Sequence, residues 1–135
     1  MTPPDHIQFL SPETLASPAG YSQIVQVTGG RTIYIAGQIA LDASRNLVGR
    51  GDFRAQCEQV FENLKAALAA VGADFSHVVK LNYYLLDHTH APILREIRDR
   101  YVNVNAPPAS TLVEVRSLAL DDLLLEIEAI ASLPA

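Results

Sequence analysis

The chain has 135 residues, 49% of them hydrophobic and 19% charged, with a net charge of −5 and a single cysteine. That length carries one hydrophobic core and not two, so residues 1–135 are read as one domain, and no apolar run approaches the roughly 20 residues of a membrane helix. An acidic balance without a Lys/Arg cluster argues against a nucleic-acid partner, whose phosphates need basic side chains.

The N-terminus, MTPPDHIQF, has neither a basic start nor a continuous apolar stretch, so nothing in it marks the chain for export. Cys57 cannot form an internal disulfide, and together these features point to a cytoplasmic protein. The proline-rich first 20 residues hold one short apolar patch, Ile7–Leu10, read as a brief strand followed by an irregular arm. Ser22–Thr28 and Thr32–Gln38 are β-prone and flank Gly29-Gly30, a pair suited to positive φ, which predicts a two-residue hairpin. Leu41–Gly51 is polar and reads as a connection.

From Asp52 the period changes. Phe53, Cys57, Val60, Phe61, Leu64, Ala67, Leu68 and Val71 recur at spacings of three and four, the stripe of a helix with one buried face. Asp52 is placed to cap its start and Gly72 its end. On that stripe Cys57 is a core residue and not a nucleophile, since reactive thiols need an exposed electropositive setting.

His77–Leu86 is a long β-prone run closed by Asp87. His88 and His90 follow, two apart at a helix entrance beside Pro92, and with no third ligand at an obvious spacing no metal site is expected. Pro92–Val102 predicts a second helix, with Glu96 and Arg100, and Arg95 and Asp99, at i,i+4 spacing. Asn103–Pro108 breaks it. Pro107–Ala131 then reads as two apolar strands joined by a short polar connection, carrying Glu114, Glu126 and Glu128. Alternation puts residues 126 and 128 on one face, roughly 7 Å apart. The order of elements predicts an α+β fold in which two helices cover one face of a mixed sheet, leaving self-association to hide the other.

The two ends of that last stretch, PPAS…VEV and EIEAIA, resemble the C-terminal signature of the Rid (reactive intermediate deaminase, YjgF) family. There a Pro-Ala-Arg run opens one strand and a Glu-hydrophobic-Glu-Ala run closes the next. The resemblance spans about Gly20 to Ala131 and includes Gln56 and Asn63 on the first helix. Ser110 stands at the position of the family's arginine. What the resemblance implies is a chorismate-mutase-like subunit, a homotrimer, and a small-molecule ligand in clefts between subunits. It also implies cofactor-free hydrolysis of enamines and imines, notably 2-aminoacrylate, to ketones and ammonia. Glu126 takes the place of the family's acid/base or water-orienting glutamate. Tyr21 takes that of an aromatic from the N-terminal arm, and Ala36-Gly37-Gln38 resembles the family's Ser-Gly-Gln. Ser110 and Thr111 fall at the arginine and its follower.

Arg116 cannot replace the missing arginine, because six residues of strand put it about 20 Å from position 110. Arg95 and Arg98 fall where the family's helix carries Asn and Tyr, and Arg95 is the candidate replacement. Its alternative is a surface pair with Asp99. Two functional readings stay open at this point: a deaminase with an altered substrate, and a non-catalytic ligand-binding or regulatory trimer.

Overall fold

The computed structural model describes residues 1–135. Its elements are β1 (Ile7–Leu10), β2 (Ile24–Val27), β3 (Arg31–Gln38), α1 (Phe53–Ala69), β4 (Val78–Leu85), α2 (Ala91–Arg98), β5 (Ala109–Glu114) and β6 (Leu125–Leu133). Four strands form a mixed sheet in the order β3-β6-β4-β5, with β4 and β5 parallel and the other pairs antiparallel. Both helices lie against one face, so the fold is α+β as the pattern predicts. No helix is long and apolar enough to cross a membrane.

The expected hairpin between β2 and β3 does not form. Gly29 and Gly30 do take positive φ, 71° and 91°, but β2 folds back on β1, Ile7 against Val27 through Leu10 against Ile24, as a separate two-stranded sheet. β3 leaves to pair with β6, where Ile33 and Ile35 reach the helix-side core. The turn residues set the corner; long-range burial chose the partners.

α1 begins as predicted, with the Asp52 carboxylate accepting from the Ala55 amide at 3.1 Å. Phe61, Leu64 and Leu68 are fully buried, and Cys57 with them, its thiol pushed up to about 12 by burial. Val71 is a correction: it is 41% exposed, because the helix has ended before it and Gly72 turns the chain away. α2 is shorter than Pro92–Val102 and stops at Arg98, after which tighter turns, such as the Tyr101 amide to the Arg98 carbonyl at 2.9 Å, carry the chain onward.

Gln56 on α1 is fully buried and saturated. Its amide donates to the Gly49 carbonyl (3.1 Å) and the Asp122 carbonyl (2.9 Å), and its oxygen accepts from the Leu124 amide (2.9 Å).

The open face is less apolar than the C-terminal strands suggest in sequence. β6 turns Leu125, Ile127, Ala129 and Ala131 inward under the helices, and presents Glu126, Glu128 and Ile130 outward. β4 does the same with Leu81, Tyr83 and Leu85 inside and Asn82 and Tyr84 outside.

Candidate functional site

The residues singled out in the sequence fall into two groups on opposite faces of the sheet. Ser110 pairs with Leu81, whose side chain is in the helix-covered core, so Ser110 points the same way. It lines a cavity of about 340 Å³ with Tyr21 and Gln23 of the N-terminal arm, Tyr83 of β4, and Arg95 and Arg98 of α2. The arm is held there by Ser22, which donates its amide to the Pro108 carbonyl (3.1 Å) and its hydroxyl to the Pro107 carbonyl (2.6 Å). Tyr21 therefore sits beside the start of β5 by direct tethering.

Thr111, one residue on, points to the open face and accepts from Lys80 Nζ at 2.9 Å. Glu126 lies on that same face, across from Tyr84. With Glu128 and Tyr84 it lines a depression walled by Val115, Ser117, Leu118 and Ala119. The two carboxylates differ in environment. Glu128 Oε1 accepts from Tyr84 (2.6 Å) and Asn82 (3.1 Å), and that contact raises the Tyr84 phenol above its ordinary pKa. Glu126 instead lies over Gly37, and a Cβ at position 37 would overlap its carboxylate. Gly37 is thus paired with Glu126 by close approach, at the irregular step of β3 between Ile35 and Gln38. Gln38 folds its amide back onto the Ala36 carbonyl (3.0 Å) and borders a second depression, where Asn63 is fixed by the Ile39 and Leu41 carbonyls at 3.0 Å each.

The expected pair of Arg95 with Asp99 is absent. Asp99 accepts from Arg98 instead, at 3.0 Å from Nε and 2.9 Å from Nη2; its amide still donates to the Arg95 carbonyl at 3.1 Å, so the backbone is in helical register and the neighbouring guanidinium has taken the carboxylate. Arg95 stays exposed at the cavity mouth. Glu96 does reach Arg100, at 3.9 Å, and more closely Arg54, at 2.9 Å.

Sequence spacing hid a contact at His88. Glu114 at the end of β5 accepts from the His88 backbone and meets its Nδ1, both at 2.9 Å, and the backbone bond leads in holding the Glu114 carboxyl below its usual range. With Asp87 these form an exposed trio, whereas His90 stacks on Phe53 at 4.4 Å. The trio closes β5 onto the turn before α2, and that structural role accounts for it.

Tyr83 and the depth of Arg98 were not singled out as site features. The alternation Leu81, Tyr83, Leu85 signals that Tyr83 faces inward, and helical spacing from Leu94 to Arg98 puts the arginine on the buried side. Both signals are in the sequence.

A family model described as Endoribonuclease L-PSP matches residues 12–133. With the fold and these relatives, the chain belongs to that family, which is also called Rid or RutC. Among its relatives, protein DfrA of Myxococcus xanthus is 45% identical over 82% of this chain and 83% of its own length. A 2-iminobutanoate/2-iminopropanoate deaminase of Mus musculus is 39% identical over 82% of this chain and 79% of its own. The crystal structure of the Rid family protein YyfB from Yersinia pestis superposes with a TM-score of 0.82 at 37% identity, covering 95% of this chain and 99% of that one.

Proposed function

We propose that this protein is a cofactor-free imine or enamine deaminase, working as a homotrimer of about 44 kDa, three times the 14.7 kDa subunit. The ligand would lie in clefts between subunits. One observation carries the reading: Tyr21, Arg95 and Ser110 face the helix side of the sheet, while Gly37, Thr111 and Glu126 face the open side. A ligand held by both groups needs a second copy that lays its Glu126 depression against the first copy's arm pocket. Gln38 borders the same open side and lines the approach.

In that cleft water adds to the carbon of the C=N bond and its proton passes to Glu126. The carboxyl group returns that proton to the nitrogen, giving a carbinolamine, and then relays the hydroxyl proton to the same nitrogen as the C–N bond breaks and C=O forms, so that imine and water give ketone and ammonia with no net proton change. An enamine enters after the same group protonates its carbon. Tyr21, Arg95, Ser110 and Thr111 orient the substrate. Relatives named as 2-iminobutanoate/2-iminopropanoate deaminases support this chemistry.

Ser110, standing where the Rid pattern has arginine, favours the second reading, a binding trimer without turnover. The two are separated by generating 2-iminopropanoate in situ with an amino-acid oxidase and following ammonia release. The deaminase reading expects turnover in the native protein and a loss of about 10²–10⁴-fold in Glu126→Gln, because the amide keeps the shape and loses the titrating proton. A native protein no faster than buffer leaves the binding reading.

A further inference from the structure

We infer that the guanidinium missing from β5 is supplied from α2, and that Arg98 is the seat for the carboxylate of a small organic acid in the arm pocket. This rests on the reading of that pocket as one half of the ligand cleft and adds the chemical class of what it holds.

Arg98 is 5% exposed. A guanidinium so deep in the protein is stable only when paired and hydrogen-bonded. Its acidic partner, Asp99, is half-exposed and uses a single oxygen, Oδ1, for both Nε and Nη2, so neither bond engages Nη1. Beside it the Tyr83 hydroxyl is fully buried; Arg98 can only donate to its oxygen, so its O–H finds no acceptor in the protein. Buried polar groups of this kind are rarely left unpaired without a ligand or water to meet them. Burial keeps the phenol protonated, with the charge of Arg98 opposing that shift in part, so at neutral pH it is a donor. Ser110 adds a second hydroxyl to the same wall.

The cavity therefore presents a guanidinium, a phenol and a serine hydroxyl, and no carboxylate lines it, in a chain whose net charge is −5. A carboxylate supplies two acceptor oxygens and one negative charge, which suits a guanidinium edge next to an orphaned O–H. The arm is shaped for this seat: Gly20, at φ 81°, lies so close that a Cβ would overlap Arg98 Nη2. Ser110 leaves open the space that an arginine on β5 would fill. Arg95, exposed at the mouth, adds attraction for an anion from outside.

The test compares pyruvate with its neutral analogue pyruvamide, by calorimetry on the intact protein. Arg98→Met, which keeps the packing of the stem, is expected to weaken pyruvate about tenfold or more while changing pyruvamide less than about twofold. Asp99→Asn removes the competing anion at a half-exposed position and is expected to tighten pyruvate about threefold and leave pyruvamide unchanged. That variant decides the matter if Arg98→Met does not fold. Equal affinity for both ligands in the native protein, an equal loss of both in Arg98→Met, or no change for either in Asp99→Asn overturns the assignment. Arg98-dependent pyruvate binding without ammonia release keeps the carboxylate seat and removes the deaminase. Undiminished turnover of 2-iminopropanoate at unchanged KM in Arg98→Met does the reverse.

Discussion

The two faces of the central sheet are made from the same strands and obey different rules. Under the helices, Leu81, Leu85, Leu125 and Ile127 are wholly buried, and their packing fixes the register of β4 against β6. On the open face, one residue over, Asn82, Tyr84, Glu126 and Glu128 are only partly buried, and Asn82 and Tyr84 donate to Glu128. A slip of one residue would exchange the two sets and drive both glutamates into the core. The hydrophobic face therefore places the carboxylates, and the open face is free to be chosen for chemistry.

The largest expected effect that tests this division is on stability. Leu81→Ala should cost about 2–5 kcal/mol in denaturant unfolding, and Asn82→Ala on the adjoining open position less than about 1 kcal/mol. Equal losses would mean that the open face is as tightly packed as the core. Next comes a purely functional effect: Gly37→Ala should leave the unfolding midpoint nearly unchanged yet lower turnover about tenfold or more, since the new methyl must displace the Glu126 carboxylate. Unaltered turnover would detach Gly37 from the site. The smallest concerns Cys57, which should stay unreactive to a thiol reagent at pH 8 until the protein is unfolded. Its thiol is raised by burial to about 12, so folding holds the proton that the unfolded chain releases near its ordinary value of 9.0. The contribution is complete below that value and stability falls as pH rises from there toward 12. Rapid labelling of the folded protein at pH 8 would place Cys57 outside the core.

What could be read from the sequence follows the same division. The buried stripe of α1, its Asp52 cap and the alternation of β4 and β6 are local patterns, and each holds in the structure. The pairing of β2 with β1 was not legible, because Gly29-Gly30 specifies a turn and says nothing about which strand offers the larger apolar surface. The i,i+4 spacing of Arg95 and Asp99 predicts a pair, but spacing does not register competition: the neighbouring Arg98 takes the Asp99 carboxylate. The family pattern, by contrast, brought Glu126 and Gly37 forward from positions 89 residues apart in sequence, which the fold sets in contact. The apposition of Gly20 with Arg98 had no such signal. It depends on the path of an irregular arm, which no periodicity encodes.

The three bonds of Gln56 reach the connection before α1 at Gly49 and the connection before β6 at Asp122 and Leu124. The first of these segments begins at the depression beside Gln38, and the second walls the depression of Glu126. One side chain of α1 thus anchors both connections to the same helix. Amide hydrogen exchange at Leu124 would then be governed by the loss of the α1 contact and not by the fraying of its own loop.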